Sequence, residues 1–363
     1  MNTHFNHMNT TSQHLPVDIV FHPSWWHAHA GITFDEDFFY HPKKRVESER
    51  RMEQVLYDRF GQYGLGEHRN DDLPVIGAVH NAAGYLISEM LGCEVRYNED
   101  APPDVIPAEC ESLVFDPDAA FESAAFKRFS RLCDELKKQY GYLTGDVNWS
   151  GVLNLALDLR GQNLFLDMLD DPEAVQAGFA RIAEVVTRFV SGVQAQTKTS
   201  SISVNRVVRF FDQPVWLHSE CSNTMISAAD YERFILPIDA AWSRERRPFG
   251  IHHCGNDPHR FAVSYAKLPH LDFLDVGWGG EVKVLREHLP ETFLNIRLDP
   301  VQLNQWTTDE IRDTITRLVA DSDNPELTGV CCINLDDKVR DAQVAAIFET
   351  VRDLRNGSAG LQS

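Results

Sequence analysis

The chain contains 363 residues, of which 43% are hydrophobic, and its formal net charge at pH 7 is -20. This length is sufficient for one large α/β domain with a buried core. The strong negative charge argues against nucleic acid or an anionic membrane surface as a partner.

The seven cysteines are scattered along the chain. Their spacing differs from the dense pattern of a secreted disulfide scaffold. Residues 1–13 contain no apolar stretch of the kind found in a secretory signal, and no apolar run is long enough to cross a bilayer. We therefore expect a soluble cytoplasmic protein, with a disordered leader over residues 1–15 and a single domain over residues 16–363.

Hydrophobic periodicity predicts alternating helices and strands over the first two thirds of the chain. Proline begins one of these segments, at residue 172, and Ser227 precedes another as an N-cap. The predicted helices are 43–60, 82–91, 118–140, 172–197 and 228–246, and the predicted strands are 73–79, 142–147 and 215–218.

The last third of the chain has the most regular pattern. Strands are predicted at 249–253, 271–276, 293–298 and 329–333, and helices at 258–266, 282–289, 308–320 and 339–354. Four strand–helix units in series indicate a parallel sheet. Because no Gly-x-Gly-x-x-Gly turn follows the first strand, the pattern favours a (β/α)8 TIM barrel with an N-terminal extension over a dinucleotide-binding fold.

Polar side chains follow several of the predicted strands. Barrel enzymes place their chemistry at these carboxyl ends, so we expect a substrate pocket formed by Glu220, Asp146, Asn148 and His80. The alternative is that loops after strands begin with helix caps, and this alone could explain Asp275 or Asp299.

A metal site is the strongest chemical signal. Side chains alternate along an extended segment, so His252 and Cys254 point the same way. Imidazole and thiolate are ligands that zinc prefers, and three protein ligands leave a fourth position for chemistry. We expect the third ligand to be Cys331 or Cys332, at the end of the last predicted strand. Alternation would let only one of the two face inward.

The second half of the chain resembles the uroporphyrinogen decarboxylase-like family. The resemblance runs through residues 164–172, 226–237 and 295–300, and through His252-His253-Cys254-Gly255-Asn256. It covers roughly residue 140 to the end. The family's decarboxylases carry a basic Arg-x-x-Gly-Arg loop near the N-terminus, which has no counterpart here, whereas a His-x-Cys with a distant cysteine is typical of its zinc-dependent, corrinoid-linked methyltransferases.

The resemblance implies a TIM barrel in which His252, Cys254 and one C-terminal cysteine bind Zn²⁺, with Cys331 preferred over Cys332. It also implies methyl transfer between methylcobalamin, carried by a partner corrinoid protein, and a small molecule that is a thiol or tetrahydrofolate. A sulfonate-bearing thiol would require an arginine, for which Arg206 and Arg209 are candidates. The alternatives are a first-step demethylase that loads the corrinoid protein, a carbon–carbon lyase of the decarboxylase type, and a binding module without activity.

Overall fold

The computed structural model describes residues 14–77, 85–145, 149–197, 211 and 213–359. Within them lies a parallel sheet of six strands in the order β1-β8-β7-β6-β5-β4. The six strands are β1 (Val17–Phe21), β4 (Trp216–Ser219), β5 (Phe249–His252), β6 (Phe273–Val276), β7 (Phe293–Leu298) and β8 (Thr328–Leu335). A separate antiparallel pair is formed by β2 (Glu94–Arg96) and β3 (Asp104–Ile106).

Helices follow most of the strands and surround the sheet. They are α1 (Pro23–Ala30), α2 (Glu36–Tyr40), α3 (Pro42–Phe60), α4 (Leu86–Met90), α5 (Pro117–Glu122), α6 (Ala124–Tyr140), α7 (Val152–Arg160), α8 (Asn163–Asp170), α9 (Pro172–Thr197), α10 (Ala228–Asp230), α11 (Leu236–Glu245), α12 (Ala262–Tyr265), α13 (Val282–His288), α14 (Pro300–Leu303), α15 (Thr308–Ser322) and α16 (Asp341–Ala359). A π-helical turn, Tyr231–Ile235, joins α10 to α11, so the helix predicted at 228–246 is continuous. None of the described helices is both long and apolar enough to span a membrane.

The sheet agrees with the sequence pattern in five strands, β4 to β8, of which β4 lies one residue beyond the predicted 215–218. Strand β1 is not predicted from the sequence, yet it pairs in parallel with β8. The predicted strands at 73–79 and 142–147 are represented in the described residues by one parallel bridge, between Val75 and Thr144. Closure of the sheet into eight strands therefore remains a prediction, and residues 1–13 of the predicted leader lie outside the described part of the chain.

Both faces of the sheet are covered. One face carries a small apolar cluster contributed by residues of five strands and by Val215, which directly precedes β4: Val20, Val215, Leu217, Phe273, Phe293, Cys331 and Ile333. The opposite face packs against the helices as part of the main core. Strands buried on both sides are typical of parallel sheets. We call the face with the small cluster the inner face.

Candidate metal centre

Three side chains meet at the carboxyl ends of two neighbouring strands. His252 is the last residue of β5, Cys254 follows it by two positions, and Cys221 lies just after β4. One ligand atom from each of these residues lies within 4.8 Å of the other two. They are close because Ser219 of β4 pairs with His252 of β5, and the same register continued by two residues sets Cys221 beside Cys254.

The three residues differ in their access to solvent. His252 is buried, Cys254 is half-buried and Cys221 is exposed. The group is therefore anchored by the imidazole on its buried side and is open on the side of the two sulfurs. A small molecule could approach from that side.

A hydrogen-bonded chain fixes the imidazole of His252. Its Nδ1 lies 2.7 Å from Asp275 Oδ2, and Asn295 Nδ2 donates to Asp275 Oδ1 at 2.6 Å. With Nδ1 bonded to a carboxylate, Nε2 is the nitrogen left for a metal. Carboxylate–histidine pairs of this kind orient metal-binding imidazoles and increase their basicity.

The turn that carries Cys221 is held on both sides. Asn154 of α7 donates from Nδ2 to Ser219 O at 2.9 Å, and its Oδ1 accepts from Ser222 N at 2.9 Å. The Glu220 amide donates to His252 O at 3.0 Å. The backbone before and after Cys221 is therefore tied to a helix and to the neighbouring strand.

A buried polar network lies next to this turn, on the helix side of the sheet. His218 Nδ1 is 2.6 Å from Asp239 and its Nε2 is 2.8 Å from Glu220. Tyr231 donates to the second oxygen of Asp239 at 2.6 Å. Burial opposes a charge on His218, but the two carboxylates outweigh it and raise the pKa of His218 to about 10. We therefore expect an imidazolium between two carboxylates at neutral pH.

The two sulfurs form an asymmetric pair. The Cys221 thiol donates a hydrogen bond to Cys254. This hydrogen bond holds the pKa of Cys254 well below its ordinary value. Burial of Cys254 opposes the effect, and the positive charge of the nearby Arg297 adds to it. The same hydrogen bond raises the pKa of Cys221 well above its ordinary value. Cys254 is therefore the better preformed thiolate in the metal-free protein.

The C-terminal cysteines expected to supply the third ligand are not part of this group. Cys331 faces the inner side of the sheet, where its Sγ accepts from Asn295 at 3.2 Å, and burial raises its pKa well above the ordinary value. The side chains of Asn295 and Asp275 thus lie between Cys331 and the His252 ring. Cys332 faces the helix side and its Sγ lies 3.7 Å from Leu298 O. Alternation along β8 separates the two cysteines as expected, but Cys221 stands where one of them was predicted.

The residues predicted to line a substrate pocket are only partly described. Glu220 is fully buried; its Oε1 accepts from the Leu153 amide at 3.1 Å, and its Oε2 has no hydrogen-bond partner. His80, Asp146 and Asn148 lie outside the described residues, as do Arg206 and Arg209. Asp299 caps α14, as the alternative interpretation expects, whereas Asp275 bonds His252 instead of capping a helix.

The donor set fits zinc better than other common divalent ions. Two cysteines and one histidine match its preference for sulfur and nitrogen, and magnesium and calcium require oxygen ligands. Three protein ligands also match the composition of catalytic zinc sites, which keep one position for a substrate. Cys221, His252 and Cys254 could therefore hold one Zn²⁺ ion with a position left for another ligand.

Comparison with known proteins shows a likeness in fold alone. The sequence matches no family model and no curated protein. Among solved structures, a B12-independent methionine synthase from Shewanella sp. W3-18-1, in complex with selenomethionine, is 10% identical, with 94% of this chain and 99% of that chain covered and a TM-score of 0.47. A methyltransferase from Methanosarcina mazei is 13% identical, with 94% of this chain and 95% of that chain covered and a TM-score of 0.65. Over nearly its whole length, the chain has a fold similar to that of the Methanosarcina enzyme.

Proposed function

We propose that this protein is a zinc-dependent methyltransferase that moves a methyl group between a corrinoid, methylcobalamin, and a small thiol. The single observation that carries the proposal is the convergence of Cys221, His252 and Cys254 within 4.8 Å of one another. The fold likeness to a protein named as a methyltransferase is consistent with it.

In this proposal, the residues of the chain would hold the zinc ion and orient the groups around it. Cys221 and Cys254 would bind the ion as thiolates, and His252 would bind through Nε2 while Asp275 fixes the ring. When bound, zinc lowers the pKa of a thiol beside it, so that the thiol is available as thiolate at neutral pH. The exposed side of Cys221 leaves room for that thiol to approach.

The proposed reaction is a nucleophilic displacement at the methyl carbon. The thiol loses its proton to solvent, and its sulfur forms a bond to the methyl carbon. The cobalt–carbon bond breaks, and its electron pair leaves with cobalt as cob(I)alamin. A corrinoid protein would present the methyl group in line with the sulfur, and the chemistry of the methyl group belongs to that cofactor. Tetrahydrofolate as acceptor and the reverse direction, in which a small donor loads the corrinoid protein, use the same centre.

A reconstituted assay tests this proposal. Zinc-loaded protein is mixed with free methylcobalamin and a panel of thiols, and with tetrahydrofolate, while cob(I)alamin is followed by absorbance and the methylated product by mass spectrometry. We expect wild type to form both products and Cys254→Ala to lose at least about 100-fold in rate, since a ligand change removes the activating ion. Cys110→Ala, which changes a thiol outside the group, is the matched control and should keep full activity. Zinc-loaded wild type that methylates none of these acceptors would contradict the proposal.

A further inference from the structure

Cys221 and Cys254 are a pair of thiols that the sheet places side by side. Ser219 of β4 pairs with His252 of β5, and each cysteine follows the end of its strand by two positions. The backbone bonding continues past this pair, because the Glu220 amide donates to His252 O at 3.0 Å. Neighbouring strands lie about 4.8 Å apart, and a disulfide requires a Cα separation of roughly 4.4–6.8 Å. The register therefore suits a disulfide between the two cysteines.

The two sulfurs are already in contact. The Cys221 thiol donates a hydrogen bond to Cys254, and both side chains are free thiols in the structure. Their Sγ atoms belong to a group whose ligand atoms all lie within 4.8 Å of one another. A disulfide, in which the two sulfurs are about 2.0 Å apart, could thus form by rotation of the side chains with little movement of the backbone.

Cys331 and Cys332, which are neighbours in the sequence, are arranged differently. Alternation along β8 turns Cys331 to the inner face of the sheet and Cys332 to the helix side, and both are buried. Cys221 is exposed and Cys254 is half-buried. A small reagent can therefore reach the Cys221–Cys254 pair from solvent.

We propose that Cys221 and Cys254 are a modification site, at which a hydroperoxide oxidises the two thiols to an intramolecular disulfide that a dithiol reductant opens again. The disulfide would withdraw both sulfurs from a metal ion and leave His252 as the one remaining member of the group of three. Oxidation would therefore release a bound metal and stop any reaction that depends on it. This inference goes beyond the proposed function, since the disulfide itself requires no metal.

The oxidation balances with one molecule of hydrogen peroxide. The sulfur of one cysteine attacks a peroxide oxygen, the O–O bond breaks, and a sulfenic acid and one water are formed. The sulfur of the other cysteine then displaces the sulfenic oxygen, which leaves as a second water. The two thiols together lose two electrons and two protons, and the peroxide is reduced to two waters. Dithiothreitol reverses the step by thiol–disulfide exchange and is itself oxidised to a cyclic disulfide.

Peroxide treatment of metal-free wild type tests the proposal. After reaction with a few equivalents of hydrogen peroxide and removal of the excess, the protein is denatured, its free thiols are counted with a chromogenic reagent, and its peptides are mapped by mass spectrometry. We expect two of the seven thiols to be lost, a peptide pair joined through Cys221 and Cys254, and full recovery of both thiols with dithiothreitol. Retention of all the thiols, or an oxidation that leaves these two cysteines unjoined, would overturn the proposal.

Three variants assign the disulfide to this pair. Cys221→Ser and Cys254→Ser each keep one of the two sulfurs, so neither should form the cross-link, and each should accumulate a sulfenic acid that dimedone captures. Cys110→Ser is the matched control: it removes a thiol that is half-buried, as Cys254 is, but lies outside the group, and it should form the cross-link as fast as wild type. Thermal unfolding shows that each variant is folded. Loss of two thiols in both Cys221→Ser and Cys254→Ser would place the disulfide elsewhere and refute the proposal.

Zinc separates this inference from the proposed function. Zinc-loaded wild type should form the disulfide at least about tenfold more slowly than the metal-free protein, because the ion occupies both thiolates. The oxidised protein should bind zinc again only after reduction. A disulfide that forms equally fast with and without zinc would support the modification site and contradict the zinc centre. Zinc binding and methyl transfer without a peroxide-driven disulfide would leave the proposed function standing and refute the modification site.

Discussion

Each of the three residues of the candidate metal centre is positioned, or has its charge stabilised, by a neighbouring residue. Asp275 holds the His252 ring, Asn154 holds the turn of Cys221, and the Arg297 cation lies beside Cys254. Metal centres depend on such supporting contacts nearly as much as on the ligands themselves. The supporting residues are therefore the places where the assignment can be tested without removing a ligand.

Replacing Asp275 should weaken metal binding. In Asp275→Ala, the His252 ring loses the carboxylate at 2.7 Å that orients it, so we expect zinc affinity to fall by about 10- to 100-fold. Competition against a chromophoric chelator measures the affinity. Asp299→Asn, which changes a helix cap that asparagine fills equally well, is the control and should bind zinc as wild type does. Unchanged affinity in Asp275→Ala would contradict the role of Asp275 in orienting the His252 ring for the metal.

The buried His218 predicts a specific dependence of stability on pH. Its pKa is raised to about 10 in the folded protein, from about 6.5 in an unfolded chain. The folded state therefore binds the His218 proton more tightly than the unfolded chain does, and this proton stabilises the folded state. The stabilisation is complete below pH 6.5 and is lost as the pH rises towards 10. The free energy of unfolding should fall by roughly 1.4 kcal/mol per pH unit over that interval from this group alone.

Denaturant unfolding of wild type and His218→Gln between pH 6.5 and 10 measures the slope. The variant should lack this contribution, because glutamine carries no proton that titrates there. Equal slopes would mean that the imidazole is neutral and that its Nε2 accepts from the Val152 amide, which lies 3.1 Å away.

At the scale of elements, the N-terminus of α7 and the turn after β4 form one packed unit. Gly151 precedes α7, and its amide donates to Ser219 O at 2.7 Å. A Cβ at this position would lie 2.3 Å from Ser219 O and 2.6 Å from Glu220 Cδ. Only glycine allows the helix to approach the segment that carries Cys221 so closely.

Adding one methyl group at Gly151 should therefore disturb the metal centre. We expect Gly151→Ala to lower the free energy of unfolding by roughly 1–3 kcal/mol and to reduce zinc occupancy, because α7 and the turn that carries Cys221 must move apart. Gly192→Ala is the matched control: this glycine lies in α9 with open space around it, and alanine there should be neutral or stabilising. Chemical denaturation and zinc analysis of both variants measure the two effects. A Gly151→Ala protein with wild-type stability and zinc content would contradict this account.

The helices and strands predicted most accurately are those that a local sequence pattern is sufficient to identify. Helix α9 occupies the predicted 172–197 and β7 the predicted 293–298, since proline, periodicity and apolar runs mark them locally. Strand β1 escapes prediction because it is short and includes the buried Asp18. Within the site, the His-x-Cys pair is visible because alternation along one strand is a local property.

Cys221 is not predicted as a metal ligand from the sequence, because its closeness to His252 and Cys254 depends on how β4 pairs with β5. The register of Ser219 with His252 brings it to Cys254, and that register is not encoded in either segment alone. The available signal is that both cysteines lie two residues beyond that pair of strand ends. The sequence instead offers Cys331 or Cys332, and the family resemblance favours Cys331, whose strand lies three places from β5 in the sheet, beyond β6 and β7.

At the scale of the whole molecule, a parallel sheet with its functional side chains at the carboxyl ends follows from the strand–helix repeats of the last third. The metal would join the ends of two strands, so its binding should stabilise the folded state over the unfolded chain. Thermal unfolding of the zinc-loaded protein should therefore occur several degrees above that of the chelated protein, and Cys254→Ser should show no such difference. Identical unfolding temperatures for zinc-loaded and chelated wild type would argue against a metal bound in the folded structure.

The most direct test of the account is the zinc content of two matched serine variants. Wild type, Cys221→Ser and Cys331→Ser are purified in parallel, loaded with Zn²⁺, desalted and analysed by atomic emission. We predict about one zinc per chain in wild type and in Cys331→Ser, and a small fraction of that in Cys221→Ser. Among the described residues, Cys221 is the side chain that completes a group of possible ligands with His252 and Cys254. Full zinc in Cys221→Ser together with its loss in Cys331→Ser would contradict the assignment and restore the C-terminal cysteine as the third ligand.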